Sequence, residues 1–256
     1  MANIYLSVEL SAFQDQTRRF IDEEVKSHGE LWEEAGFVPR DVLEKMGSIG
    51  FFGVRHPEEY GGLDLGPLAS CAFAEALGES TFGGFGATVL VHTDMASPHL
   101  LRAGTKEQRD RYLARVVSGD IITAIVITEP DAGSDVAALR TVAEKDGAGF
   151  RINGTKMFIT NGVHGDLMIV AAKTDSDAGS SGISMFLVER GTEGFTVGRA
   201  LKKHGWLSSD TAELVFDNVW VPEENLLGDL NRGFYSIMEN FQNERLVLSA
   251  QAVGEA

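Results

Sequence analysis

Apolar positions change their spacing twice along this chain. Up to about Val117 they recur every three to four residues, the period of helices with one buried face. Phe13–Val25 is such a segment, and Ser11 stands where a capping residue is expected. Pro39 opens a second at its first turn, in which Val42, Leu43 and Met46 are apolar and Gly47 and Gly50 close the run. Alanine-rich Ala69–Leu77 predicts a third helix and Lys106–Val117 a fourth, with Thr105 as its cap. Glu58-Glu59-Tyr60-Gly61-Gly62 reads as a turn between them.

From Asp120 the runs become short and rich in β-branched and aromatic residues. Ile121–Thr128, Phe150–Ile152, Lys156–Thr160, Leu167–Ala172, Ile183–Val188 and Glu213–Phe216 predict strands. Lys145-Asp146-Gly147, Asn153-Gly154 and Asp175–Gly182 predict the turns between them. After Val221-Pro222 the helical spacing returns at Phe234. The expected fold is α+β and multidomain: a helical domain over 1–118, a β-barrel or sandwich over 119–226, and over 227–256 the first helix of a helical bundle.

Composition narrows the function more than the fold. With 256 residues, 43% of them hydrophobic, the chain can bury one large core or two modest ones. Lys plus Arg number 22 against 38 Asp plus Glu, a net charge of −16 that argues against nucleic acid and anionic membranes. Any polyanionic ligand must be held by local donors and a few basic side chains. No apolar stretch approaches membrane-spanning length. Met1-Ala2-Asn3-Ile4-Tyr5-Leu6 has neither the pattern of a secretory leader nor that of an Arg-rich transit segment, so a cytoplasmic location is expected. The single cysteine, Cys71, reads as a small core residue. Six histidines show no metal-ligand spacing, and no Gly-x-Ser-x-Gly occurs. Gly83-Gly84-Phe85-Gly86 has no preceding strand and lacks the third glycine of a dinucleotide loop; helix-to-loop packing explains it better.

Two segments carry candidate chemistry. Thr128-Glu129-Pro130-Asp131-Ala132-Gly133-Ser134-Asp135 leaves a strand. Pro130 ends the pairing, Gly133 is free to take a positive φ, and exposed N–H groups with the Thr128 and Ser134 hydroxyls suit an anion or a heterocycle edge. An ordinary strand-to-turn transition reads the same way. Lys156-Met157-Phe158-Ile159-Thr160-Asn161-Gly162 follows. On the last helix Glu244 falls in an arc with Ile237, Phe241 and Leu248, and Phe234 and Ala252 lie at its edge. Desolvation on such a stripe raises a carboxyl's pKa towards neutrality, which suits a general base. Neutralisation by Arg245 or a neighbouring helix is the alternative.

These segments, with Lys203–Glu213 and Asn218-Val219-Trp220-Val221-Pro222, resemble the signatures of the acyl-CoA dehydrogenase family. The resemblance spans essentially the whole chain. It points to the long-chain branch through Phe20–Val25, Gly233-Phe234-Tyr235 and Gln242–Leu246, and it implies that most of a C-terminal helical domain lies outside these 256 residues. It implies FAD held by Ile125, Ile127, Thr128, Gly133, Ser134, Phe158, Ile159 and Thr160. Acyl-CoA would border Ser134, Tyr235, Asn243 and Arg245. Phe158 stands where many members have Trp, and Asp131 where Gly is more frequent. Glu244 would take the α-proton of the thioester while the β-hydride passes to flavin, giving a trans-2-enoyl-CoA. An electron-transfer flavoprotein as acceptor and a homotetramer or homodimer are implied as well. Two further readings stay open: a flavin monooxygenase or oxidase on the same scaffold, and a non-catalytic truncated chain that needs a full-length partner.

Overall fold

The computed structural model describes residues 5–256; residues 1–4, on which part of the leader reading rests, lie outside the described residues. The first helix, α1 (Val8–Phe20), is capped by Ser7 and not by Ser11: the Ser7 hydroxyl accepts the Leu10 N–H at 3.2 Å. Val8 is exposed, so the first turn carries no apolar signal. A π turn at Ile21–Val25 joins α1 to α2 (Lys26–Ala35), which ends on left-handed Gly36. Pro39 is the N-cap of α3 (Arg40–Ser48), one position before the first helical turn. α4 (Pro67–Gly78) follows the turn cluster.

No helix was expected between residues 83 and 103, yet α5 (Gly83–Leu90), a π turn at Val91–Ala96 and α6 (Ser97–Ala103) form one continuous rod. Its glycines are poor helix formers, and packing overrides propensity. A Cβ at Gly83 would stand 2.1 Å from Nε1 of Trp206, and one at Gly86 2.7 Å from Nε2 of Gln251. Only hydrogen fits there. α7 (Lys106–Ser118) carries the expected cap in full: Thr105 Oγ accepts the Gln108 N–H, and Gln108 Oε1 accepts the Thr105 N–H.

Eight strands follow: β1 (Thr123–Val126), β2 (Val142–Asp146), β3 (Gly149–Thr160), β4 (Leu167–Lys173), β5 (Ile183–Glu189), β6 (Phe195–Ala200), β7 (Thr211–Pro222) and β8 (Leu226–Leu227). They form two layers, β8–β5–β4–β1 and β2–β3–β7–β6, joined where Val142 pairs with Lys173. Phe150 and Phe186 meet between the layers with ring centroids 5.1 Å apart. The outer face of β4 and β5 packs on α6, α7 and the last helix, α8 (Gly233–Glu255). Burial on both faces explains why β4 and β5 read as unbroken apolar runs. Strand β6 escaped the sequence reading because only Phe195 of it is buried. Asn153-Gly154 is not a turn. It is a bulge inside β3, where the pairing with β7 slips between Ile152 and Gly154.

The helical layer and the sheet share one seam. Asn161, at φ 60°, donates from Nδ2 to the carbonyls of Thr88 in α5 and Thr123 in β1. Ile125 packs against both cores on the helical face of β1, while Ala124 and Val126 face the core between the sheet layers. Helix α8 lies so close to α4 that a Cβ at Gly254 would fall 1.9 Å from the Glu75 carbonyl oxygen. Among the described residues no helix is long and apolar enough to cross a membrane, and no His/Cys/Asp/Glu group is arranged for a metal ion.

Candidate active site

The exit of β1 and the end of β3 lie side by side, and Met157 N–H donates to the Thr128 carbonyl at 2.9 Å. A second slip in the β3–β7 pairing, between Lys156 and Ile159, frees Phe158 from the ladder. Phe158 sits in the left-handed region at φ 61° with 65% of its surface exposed. That conformation is strained for a bulky residue, and the exposure offers no compensating burial. An aromatic face is being held out towards solvent.

Beneath it lies a buried ion pair. Lys156 is fully buried; its Nζ donates to the Ile127 carbonyl and to Glu129 Oε1, each at 2.9 Å. Glu129 also accepts the backbone N–H groups of Thr141 and Arg140. Burial pulls the lysine pKa down to about 8, with the carboxylate opposing, while the net effect on Glu129 is a lowered pKa because Lys156 and two backbone donors outweigh its own burial. The turn that follows closes between Glu129 and Ala132, and Asp131 pairs with Arg140 at 3.1 Å. Gly133 does not use a positive φ; its missing side chain leaves open space, with nothing within 4 Å of an added Cβ.

Glu244 comes to this platform from α8. The buried stripe of that helix runs through Ile237, Asn240, Asn243, Val247 and Gln251, and Leu248 is exposed. Glu244 therefore stands at the edge of the stripe and not in its middle, where it meets the cavity. Burial raises its pKa to about 7, opposed by a 2.8 Å hydrogen bond from Asn240 and by Arg245. A cavity of about 270 Å³ brings Glu244 together with Ile125, Ile127, Thr128, Gly133, Phe158, Ile159 and Thr160. Val91, Met95, Val136 and Phe241 complete its wall. A carboxyl that titrates near neutrality thus faces two hydroxyls and an aromatic ring in a largely apolar cleft, the arrangement of a base beside a planar ligand.

Four other expected residues lie elsewhere. Ser134 is exposed on the turn and does not line this cavity. Tyr235 is exposed under the Arg232 guanidinium, 4.1 Å from its ring centroid. Arg245 is exposed, its guanidinium 5.9 Å from the Phe241 centroid. Asn243 points the other way: its amide bonds the Asp94 carbonyl and the Arg55 guanidinium inside the helical layer. Sequence reasoning gave no role to Glu129, Lys156 or Asn240. A lysine inside an apolar strand and an amide four residues before Glu244 were the available signals. On its far side Phe158 borders a groove of about 570 Å³ with Arg199, Lys202, Lys203 and Thr211.

Residues 7–120 match the N-terminal domain of acyl-CoA dehydrogenases and residues 124–219 the middle domain. The chain belongs to the acyl-CoA dehydrogenase family, a family of oxidoreductases. It is similar to the mitochondrial long-chain specific acyl-CoA dehydrogenase of Mus musculus, 42% identical over 252 residues that cover 96% of this chain and 57% of that protein. It is also similar to the mitochondrial isovaleryl-CoA dehydrogenase of Solanum tuberosum, 40% identical over 244 residues, 94% of this chain and 59% of that one. A solved FAD complex of PigA matches with a TM-score of 0.94 at 30% identity, over 99% of this chain and 66% of that one. The chain thus spans less than three fifths of the length of the two curated relatives.

Proposed function

We propose that this chain supplies the flavin platform and the base of an FAD-dependent acyl-CoA dehydrogenase, which converts a saturated acyl-CoA to its trans-2-enoyl-CoA. One observation carries the reading: Glu244, raised to about 7, shares a cavity with Thr128, Phe158 and Thr160. The residues fit the cofactor. Phe158 offers an aromatic face at the cavity wall, the Thr128 and Thr160 hydroxyls can meet a ring edge, and the space beside Gly133 is open to a backbone approach. In a chain of net charge −16, Arg199, Lys202 and Lys203 place positive charge beside that ring, where phosphates of a cofactor gain most.

Glu244 takes the α-proton onto a carboxylate oxygen, and the electron pair of the broken C–H bond forms the double bond as the β-hydrogen departs. FAD, when bound, supplies the acceptor for that hydride. A pKa near neutrality lets the carboxyl hold the proton until product leaves. The apolar wall of Val91, Met95 and Phe241 excludes water from the reacting carbons. Electrons then pass to an electron-transfer flavoprotein. The substrate class within this reading is a long-chain acyl group, the cellular site the cytoplasm, and the assembly a homo-oligomer of two or four chains.

Anaerobic mixing of the FAD-loaded chain with saturated acyl-CoAs of graded length tests it. Bleaching of the flavin band that E244Q abolishes, with acyl-CoA binding kept, is the expected result. Bound flavin that never bleaches would overturn dehydrogenation in favour of oxidase or oxygenase chemistry. Failure to bind FAD would overturn the chain's role as a platform on its own.

A further inference from the structure

We infer that Asn240 is a positioning residue for Glu244, held in place by carbonyls of the rod that α5 and α6 form. The inference rests on the reading of Glu244 as the base. Pro98 stands four residues after Asp94 and has no N–H to give its carbonyl. The Asp94 carbonyl takes side-chain amides from α8, Asn240 Nδ2 at 3.1 Å and Asn243 Nδ2 at 3.2 Å, and Asn243 Nδ2 also lies 3.4 Å from Asp94 Oδ1. The neighbouring Met95 carbonyl lies 3.1 Å from Asn240 Nδ2, and Glu244 Oε1 lies 2.8 Å from it. Two hydrogens therefore serve three acceptors: one is directed at the carboxylate and the other is shared between the two carbonyls. Arg102 Nη1 donates to Asn240 Oδ1 at 3.2 Å, which fixes the amide against a flip.

Every polar atom of this buried amide is committed, so its one degree of choice, where the Glu244 oxygen sits, is removed. A glutamate at a helix edge otherwise samples several rotamers, and holding one is a large part of preorganising a base. The charged groups around Glu244 are Arg245 on its own helix, Asp94 in the π turn, Arg102 behind Asn240, and Arg55 behind Asn243. The sheet side presents only hydroxyls and apolar groups.

The test is a carboxyl-carbon NMR titration of Glu244 in the glutamate-labelled chain, without cofactor. In N240L the midpoint moves up by about one pH unit, the loss expected when a charge-assisted hydrogen bond disappears. In N243L, which cuts the other amide on Asp94 and does not touch Glu244, it moves by less than about a third of that. An unmoved midpoint in N240L, or equal movement in both variants, overturns the inference. If N240L does not fold, N240S, too short to reach Glu244, gives the same reading. A moved midpoint together with flavin bleaching that survives in E244Q would sink the base and leave the positioning intact. The reverse pair of results would do the opposite.

Discussion

Lys156 Nζ lies 2.9 Å from Glu129 Oε1, with the lysine fully buried, and this pair joins the two segments that build the platform. Removing one partner strands the other without water. K156M is therefore expected to lose about 3–5 kcal/mol, whereas K156M/E129L, which removes both charges, recovers only part of it, because the Arg140 and Thr141 N–H groups and the Ile127 carbonyl lose their partners. Urea denaturation of the wild type and both variants checks this. A single-variant loss below about 1 kcal/mol would mean that water reaches the pair.

Glu244 gives stability a pH dependence of known sign. Its pKa is about 7 in the fold against the ordinary 4.5, so the fold favours the protonated form. That contribution is whole below 4.5 and is lost as pH rises through about 7. Between pH 5.5 and 8 the wild type should fall behind E244Q by about 2 kcal/mol. A constant difference across that range would place the carboxyl in water.

Phe158 trades stability for presentation. F158G relieves the left-handed backbone at φ 61° and loses little burial, so thermal unfolding should improve by about 1 kcal/mol. Flavin affinity should drop at least about tenfold with the stacking face gone. Loss of stability in F158G would show that the ring supports the fold.

G83A tests why α5 is glycine-rich. Helix propensity alone predicts a gain of up to about 1 kcal/mol. The added methyl, 2.1 Å from the Trp206 ring, predicts a loss of about 1–3 kcal/mol and a shifted tryptophan emission. We expect the loss to win, because the ring rests against this helix start.

The sequence discloses these features unevenly. Caps and unbroken apolar runs reveal α7 and the strands β4 and β5 because local rules and burial agree there. They miss α5 because Gly83 and Gly86 owe their helix to Trp206 and Gln251, more than a hundred residues away. Within the site, Thr128, Phe158, Thr160 and Glu244 are legible from their motifs and meet in one cavity. Asn243 faces the helical layer, where its amide meets the Asp94 carbonyl, a tertiary contact without a linear signal. Lys156 escapes for a related reason: its partner, Glu129, is 27 residues back across a strand crossing.

The seam at Asn161 has a consequence for how the molecule comes apart. One amide spans a helix and a strand of the sheet, and β1 sets Ile125 against the cores of the helical face and Ala124 and Val126 in the core between the sheet layers. Neither side can loosen without exposing the other. Proteolysis of the native chain should therefore find no stable helical or β fragment to release, and slowly exchanging amides in α5 and β1 should open together, at a single rate, as one cooperative block.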